Sequence, residues 1–236
     1  MSRRWVRRVT AAVAAVAVVC VGAYVVMNAR TFQLAGRLVP RVATAEKVVA
    51  LTFDDGPSPH TPEVLRVLTD LRVRATFYLN GEDLQRFPQF GTAIAVAGHE
   101  IGNHSFSHRR MVLTSPATVA AEVERTDAEI RATGYTGPIT FRPPYGKKLW
   151  SLPEYLADHD RTTVMWDVEP DSSGPQTTAE IVRRAVDGTQ PGSVILMHVM
   201  FDGREASRAA IPGIVFALRE RGYDFVTVSD LLQRGG

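Results

Sequence analysis

Short runs of β-branched and aromatic residues alternate with helically spaced apolar residues along most of this chain, and that alternation limits the fold more than any other feature. Val48–Phe53 is an unbroken apolar stretch of the kind found in strands buried on both faces. It is followed by Val64, Leu65, Val67, Leu68 and Leu71 at the spacing of a helix face. Further strands are expected at 75–79, 100–103, 139–141, 162–166, 193–197 and 225–228. Helices are expected at 83–97, 152–158, 177–188 and 207–221. Another should run from Pro116 to about Thr133, with Ser115 as N-cap. Strands separated by helices build a parallel sheet with helices outside it. The number of units favours a closed (β/α) barrel over an open sheet, and in a barrel the reactive groups belong at the C-terminal ends of the strands.

Before this region lies a segment of different character. Val9–Met27 is an uncharged run of 19 residues, preceded by Arg3, Arg4, Arg7 and Arg8. As a helix it would be about 28 Å long, close to the hydrocarbon thickness of a bilayer. The arginines hold their end in the cytoplasm and send the rest across. The expectation is a single-pass anchor in the cell membrane with the folded body outside the cytoplasm. A cleaved signal segment, giving a secreted protein, is the competing reading. The chain therefore divides into an anchor or signal segment at 1–30, a tether at 31–46 and one folded domain at 47–236. The single cysteine, Cys20, falls inside the apolar run and allows no intrachain disulfide.

Charge excludes one class of partner. The chain carries 27 basic and 25 acidic side chains, but five arginines and no acid lie within the first 30 residues. The remainder has 22 basic against 25 acidic residues, a net of −3, so no nucleic acid is expected as a partner. A monomer is expected.

The residues after each expected strand carry the chemistry. Asp54-Asp55-Gly56-Pro57 follows the first, His104-Ser105-Phe106-Ser107-His108 the third, Arg142-Pro143-Pro144-Tyr145-Gly146 the fourth and His198 the sixth. His104 and His108 are four residues apart, and on a helical turn they would face one way and could grip a metal. Alone, that spacing better describes two surface histidines. The Asp54–Asp55 pair changes the balance, because adjacent carboxylates at a strand end repel each other unless positive charge lies nearby. Two histidines and one carboxylate leave coordination positions open, as a catalytic zinc site does.

Together, TFDDGP (52–57), HSFSH (104–108), RPPYG (142–146) and LMH (196–198) resemble four motifs of the polysaccharide deacetylases, carbohydrate esterase family four. The resemblance spans roughly residues 47–233. It implies a distorted (β/α) barrel of seven strands, preceded here by one N-terminal transmembrane helix. It also implies a metal-dependent hydrolase that removes acetyl groups from an N-acetylated polysaccharide such as peptidoglycan or a chitin-like glycan. By the same resemblance Asp55, His104 and His108 are the metal ligands. Asp54 is the general base toward the attacking water, His198 the general acid toward the leaving group, and Arg142 orients the catalytic aspartate. The backbone N–H of Tyr145 joins in stabilising the oxyanion, and Leu196 shapes the acetate pocket. Tyr145, Leu196 and Trp166 are the expected substrate contacts. Zn²⁺ is the expected metal, with Co²⁺, Ni²⁺ or Mn²⁺ able to use the same ligands.

One motif departs from the pattern, for no tryptophan follows Asp171. Asp171 is the leading partner for His198, with Asp167 and Glu169 as rivals. Three other readings stand beside the main one: an O-acetyl esterase on xylan-like glycans, a catalytically inactive glycan-binding module, and a different metal-dependent hydrolase. Of the remaining candidates, His99 reads as a structural histidine and His60 and His159 as solvated positions. Trp150 reads equally as a sugar platform or as packing.

Overall fold

In the computed structural model, residues 3–174 and 176–235 are described. Helix α1 (Arg3–Asn28) comes first, followed by strand β1 (Leu38–Val39) and strand β2 (Val48–Asp54). Helix α2 (Thr61–Leu71), β3 (Thr76–Leu79), α3 (Gly81–Arg86), α4 (Pro88–Val96) and β4 (Glu100–Asn103) come next. Then come α5 (Pro116–Ala132), a 3₁₀ turn at Pro144–Gly146, α6 (Ser151–Asp158) and β5 (Thr163–Val164). The chain ends with α7 (Thr178–Gly188), β6 (Val194–Met197), α8 (Glu205–Glu220), β7 (Asp224–Val226) and α9 (Val228–Leu232).

The strands pair in parallel. One sheet runs β4-β3-β2-β6, with β7 also on β2, and a second joins β1 to β5. Parallel bridges at Asn103–Phe141 and Phe141–Thr163 connect the two sheets. Arg41 pairs with Ser193 on the other flank. The helices follow from local sequence. Ser115 caps α5 through its hydroxyl, and Thr177 with Glu180 forms a reciprocal capping box on α7. Val64, Leu68 and Leu71 make the buried stripe of α2.

Strand periodicity decides what faces the site. Val49, Leu51 and Phe53 of β2 pack into the core under the helices, whereas Val48 and Ala50 pack into a second core on the opposite face. The same split separates Ile195 and Met197 from Val194 and Leu196 in β6, and Phe77 and Leu79 from Tyr78 in β3. Because side chains alternate along a strand, the face of Ala50 continues through Thr52 to Asp54, that of Tyr78 to Asn80, and that of Leu196 to His198. All three continuations end beyond the C-terminal edge of the sheet, where the sequence pattern expects the reactive groups.

Several local expectations are corrected. The helix expected over 83–97 is two helices broken at Phe87–Pro88, because proline lacks the N–H and clashes with the preceding turn. Ile139–Phe141 contributes only bridges at Phe141, and the strand expected over 162–166 shrinks to Thr163–Val164. The strand expected over 225–228 stops at Val226, where Thr227 caps α9. The segment 31–46 is not a loose tether. It supplies β1, buries Val39 and Val42, and hydrogen-bonds Val42 N–H to the Gly192 carbonyl at 3.0 Å. Too few apolar residues fall together in that segment for the strand to stand out in sequence. α1 is the one helix among the described residues long and apolar enough to cross a membrane.

Candidate active site

Asp54 ends β2 with its carboxylate on the inner face, 3 % exposed. The Arg142 guanidinium, fully buried, donates to Asp54 Oδ1 at 2.6 Å and to Thr52 Oγ1 at 2.8 Å. Its remaining nitrogens donate to the carbonyls of Val164 and Met165, and it lies 4.0 Å above the Tyr78 ring. A guanidinium has five N–H donors in a fixed fork, so these partners fix its position completely. Tyr78 is set in turn by Gly102, where a Cβ would stand 2.5 Å from the phenol ring.

Asp55 turns the opposite way because its backbone leaves the strand at φ +73°, with its N–H still bonded to the Tyr78 carbonyl. Its Oδ1 lies 3.2 Å from His108 Nε2 and 3.9 Å from His104 Nε2, and Asn80 donates to it at 3.4 Å. One donor atom from each of Asp55, His104 and His108 lies within 4.8 Å of the others, a cluster able to hold a metal ion. His104 Nδ1 faces the Arg142 carbonyl at 2.7 Å, so the proton sits on Nδ1 and the Nε2 lone pair faces the carboxylates.

The two histidines are brought together by a loop and not by the helical turn considered from their spacing. Residues 104–108 have no regular secondary structure, and Ser105 and His108 adopt left-handed backbone at φ +65° and +53°. Glu122 of α5 holds this loop, accepting from the Phe106 and Ser107 N–H groups at 2.9 Å and from the Ser107 hydroxyl at 2.8 Å. Asn103 accepts from Ser105 N–H and donates to Asp127.

Electrostatics suit a cation. Burial raises the pKa of Asp55, with the charge of His104 opposing it and that of Asp54 adding to it. Burial lowers His104 and His108 against the pull of the carboxylates, so both imidazoles are neutral near pH 7 and have lone pairs to give. Two neutral imidazoles and a carboxylate facing one point form a donor set that fits a divalent transition metal.

Across the cleft, Asp171 accepts from the His198 backbone N–H at 2.8 Å and faces its Nδ1 at 3.4 Å, with Ser172 Oγ also 3.4 Å away. Burial opposes charge on His198, but the Asp171 hydrogen bond and the carboxylates of Asp54, Asp171 and Asp55 outweigh it and raise its pKa. The rival acids have other partners. Asp167 accepts from Ser193 Oγ and Val194 N–H, and Glu169 accepts from Trp166 Nε1.

A cleft of about 640 Å³ joins these groups, lined by Asp54, Asp55, His104, His108 and His198 together with Tyr145, Trp166 and Leu196. Tyr145, at φ +58°, sets its ring 4.7 Å from that of His108. Of the ten residues given roles from sequence, Arg142 and Asp171 are buried and do not line this surface, and the other eight do. Arg30, Glu169, Ser172, Phe201 and Arg204 also line the cleft and were not singled out for it. His99 is buried and accepts from Ala75 N–H. His60 is less solvated than expected, since it meets Asp202 at 2.7 Å. His159 is exposed and stacks on Tyr155, and Trp150 is exposed and does not line the cleft.

The polysaccharide deacetylase family profile matches residues 41–164, more than half of the chain. This chain belongs to the polysaccharide deacetylase family. It is 34% identical over 188 residues to a peptidoglycan-N-acetylglucosamine deacetylase of Bacillus cereus, covering 78% of this chain and 68% of that one. It is 35% identical over 205 residues to a chitooligosaccharide deacetylase of Sinorhizobium fredii, with 79% and 93% covered. Among solved structures, a peptidoglycan N-acetylglucosamine deacetylase superposes with a TM-score of 0.78 at 31% identity, covering 82% of this chain and 91% of that chain. The protein is accordingly a deacetylase, a hydrolase with an α/β fold built on a parallel sheet.

Proposed function

We propose that this deacetylase is a zinc-dependent enzyme that removes acetyl groups from the N-acetylated sugars of peptidoglycan, held at the outer face of a membrane by α1. The observation that carries the reading is the division of labour between two adjacent carboxylates. Asp54 is gripped by Arg142, while Asp55 faces His104 and His108. The envelope substrate is supported by the peptidoglycan deacetylases among its relatives, and the placement by the apolar α1. The bridges through Phe141 and the Arg41–Ser193 pairing support reading the two sheets as the wall of a distorted seven-stranded barrel.

Asp55, His104 and His108 would hold the metal, which supplies Lewis-acid polarisation of the acetyl carbonyl and lowers the pKa of water when bound. Asp54 accepts the proton of the attacking water. Arg142 fixes that carboxylate in place, so the proton is delivered to a defined atom. His198 carries the proton needed by the leaving amine, and Asp171 holds the ring and favours its charged form. The Tyr145 backbone N–H, presented by a left-handed turn, serves the developing oxyanion. Leu196 packs against the acetyl methyl, and Trp166 flanks the sugar.

The test is to incubate the purified full chain, in detergent with added Zn²⁺, with peptidoglycan, a chitin tetramer and acetylated xylan, and to assay released acetate. Acetate from peptidoglycan and chitin is expected. Release from xylan alone would replace the proposal with O-acetyl esterase activity, and release from none of the three would overturn it.

A further inference from the structure

The end of α1 does not simply hand the chain on to the domain; it is built into the rim of the cleft. Lys147, directly after the Pro144–Gly146 turn, donates to the Asn28 side chain, and Lys148 donates to the Ala29 carbonyl. Lys148 is 1 % exposed, so it is committed to this contact. A lysine at the carbonyl end of a helix satisfies an acceptor that has no partner within the helix and complements its dipole, and Lys148 does so at Ala29. The next residue, Arg30, is thereby delivered to the cleft.

Arg30 reaches Glu169 Oε2 at 2.7 Å, and its guanidinium lies 4.7 Å from the Trp166 ring centroid. The same Glu169 oxygen accepts from Trp166 Nε1 at 2.8 Å, so the three side chains form one unit. Glu169 and Trp166 are largely covered, yet the Arg30 side chain remains 49 % exposed and lines the same cavity as Asp54, Asp55 and His198. A guanidinium held at one edge by a carboxylate and supported beneath by an indole keeps other N–H donors for a ligand. Sugars offer hydroxyl and carbonyl oxygens to such donors.

From this placement, and resting on the glycan-deacetylase reading above, we infer that Arg30 is a substrate-contacting residue and that the end of the N-terminal helix forms one wall of the glycan cleft. The helix thus does more than tether the enzyme. By fixing Arg30 beside Trp166 it couples membrane attachment to glycan binding.

The experiment measures equilibrium binding of a chitin tetramer to the full chain in detergent with Zn²⁺. It uses an Asp54→Asn background so that ligand is not consumed, with melting temperatures recorded in parallel. Adding Arg30→Ala should weaken the dissociation constant by roughly 5- to 20-fold, the scale of one charge-assisted hydrogen bond. The melting temperature should hold within about 2 °C, the shift expected of a surface substitution. Arg37→Ala, on the same segment but outside the cleft, should bind as the background does. Unchanged binding in the Arg30 variant would overturn the inference. So would weakened binding accompanied by a large fall in melting temperature, which would make Arg30 a structural brace. A background that binds acetylated xylotetraose and not chitin would count against the proposed substrate, and the Arg30 comparison would then be read with the xylan ligand. Failure to bind either glycan would overturn both.

Discussion

The two sides of the cleft are built differently. On one side, Asp54, Asp55 and His104 sit at strand ends with 3 % exposure or less, each tied into the sheet or to Arg142, while His108, its side chain 28 % exposed, stands on the loop beyond them. On the other, His198 sits on a strand extension with its side chain 21 % exposed, and its ring is held by contacts of 3.4 Å from the segment 171–172. On the proposed mechanism the first side holds a metal, and the network around Asp55 and His104, with Glu122 behind the His108 loop, suits that task. On the same mechanism the second side gives up a proton, so it needs a tuned pKa more than a rigid position. The difference implies that damage to the first side shows in folding and metal content, and damage to the second shows in pH dependence.

Arg142→Ala should produce the largest effect. It leaves the buried Asp54 carboxylate without its cation and removes donors from Thr52 and two carbonyls. Breaking a buried pair on one side costs about 3–5 kcal/mol, and urea unfolding should register that loss. A loss under about 1 kcal/mol, the scale of a surface ion pair, would erase the contrast between the two sides.

Glu122→Ala should come next. Glu122 touches no candidate ligand, yet it accepts three hydrogen bonds from the loop carrying His104 and His108. Loss of such outer support typically lowers metal affinity about 10- to 100-fold, which competition with a chelator would measure. Unaltered affinity would mean the loop is held by its backbone alone.

Asp171→Asn should have the smallest effect on folding and a directional effect on rate. Asp171 favours the charged form of His198, so the pKa of His198 lies above its ordinary value. A general acid works while protonated, and its contribution fades as pH rises through that pKa. Removing the Asp171 charge lowers the pKa, so the alkaline limb of the pH–rate profile should move to lower pH. A limb that stays in place, or moves upward, would take Asp171 out of the account.

Much of the site was legible because strand periodicity and motif position act locally. Asp54 follows Ala50 and Thr52 on one face of β2, and His198 follows Leu196 on β6, and each can be counted from the sequence. What was not legible depends on contacts between distant segments. Glu122 reads as one more acid on an amphipathic helix until α5 is packed beside the 104–108 loop. Arg30 reads as a flanking charge of a membrane segment until Lys147 and Lys148 bring it to Trp166. The choice among Asp167, Glu169 and Asp171 was open because three acids within five residues differ only in where a loop points them. The break at Pro88 was different, since proline announced it and the apolar pattern of 83–97 obscured it.

On the proposed mechanism Asp54 and Asp55, neighbours in sequence, do unlike work. Metal content and acetate release measured side by side in Asp54→Asn and Asp55→Asn test it directly. Asp54→Asn should keep its metal and lose turnover by about 10²–10⁴-fold, the scale of general-base catalysis. Asp55→Asn should lose both, because it replaces the one anionic donor of the proposed three with a weak neutral amide oxygen. Metal lost only from the Asp54 variant, or near-normal turnover in it, would contradict the assignment.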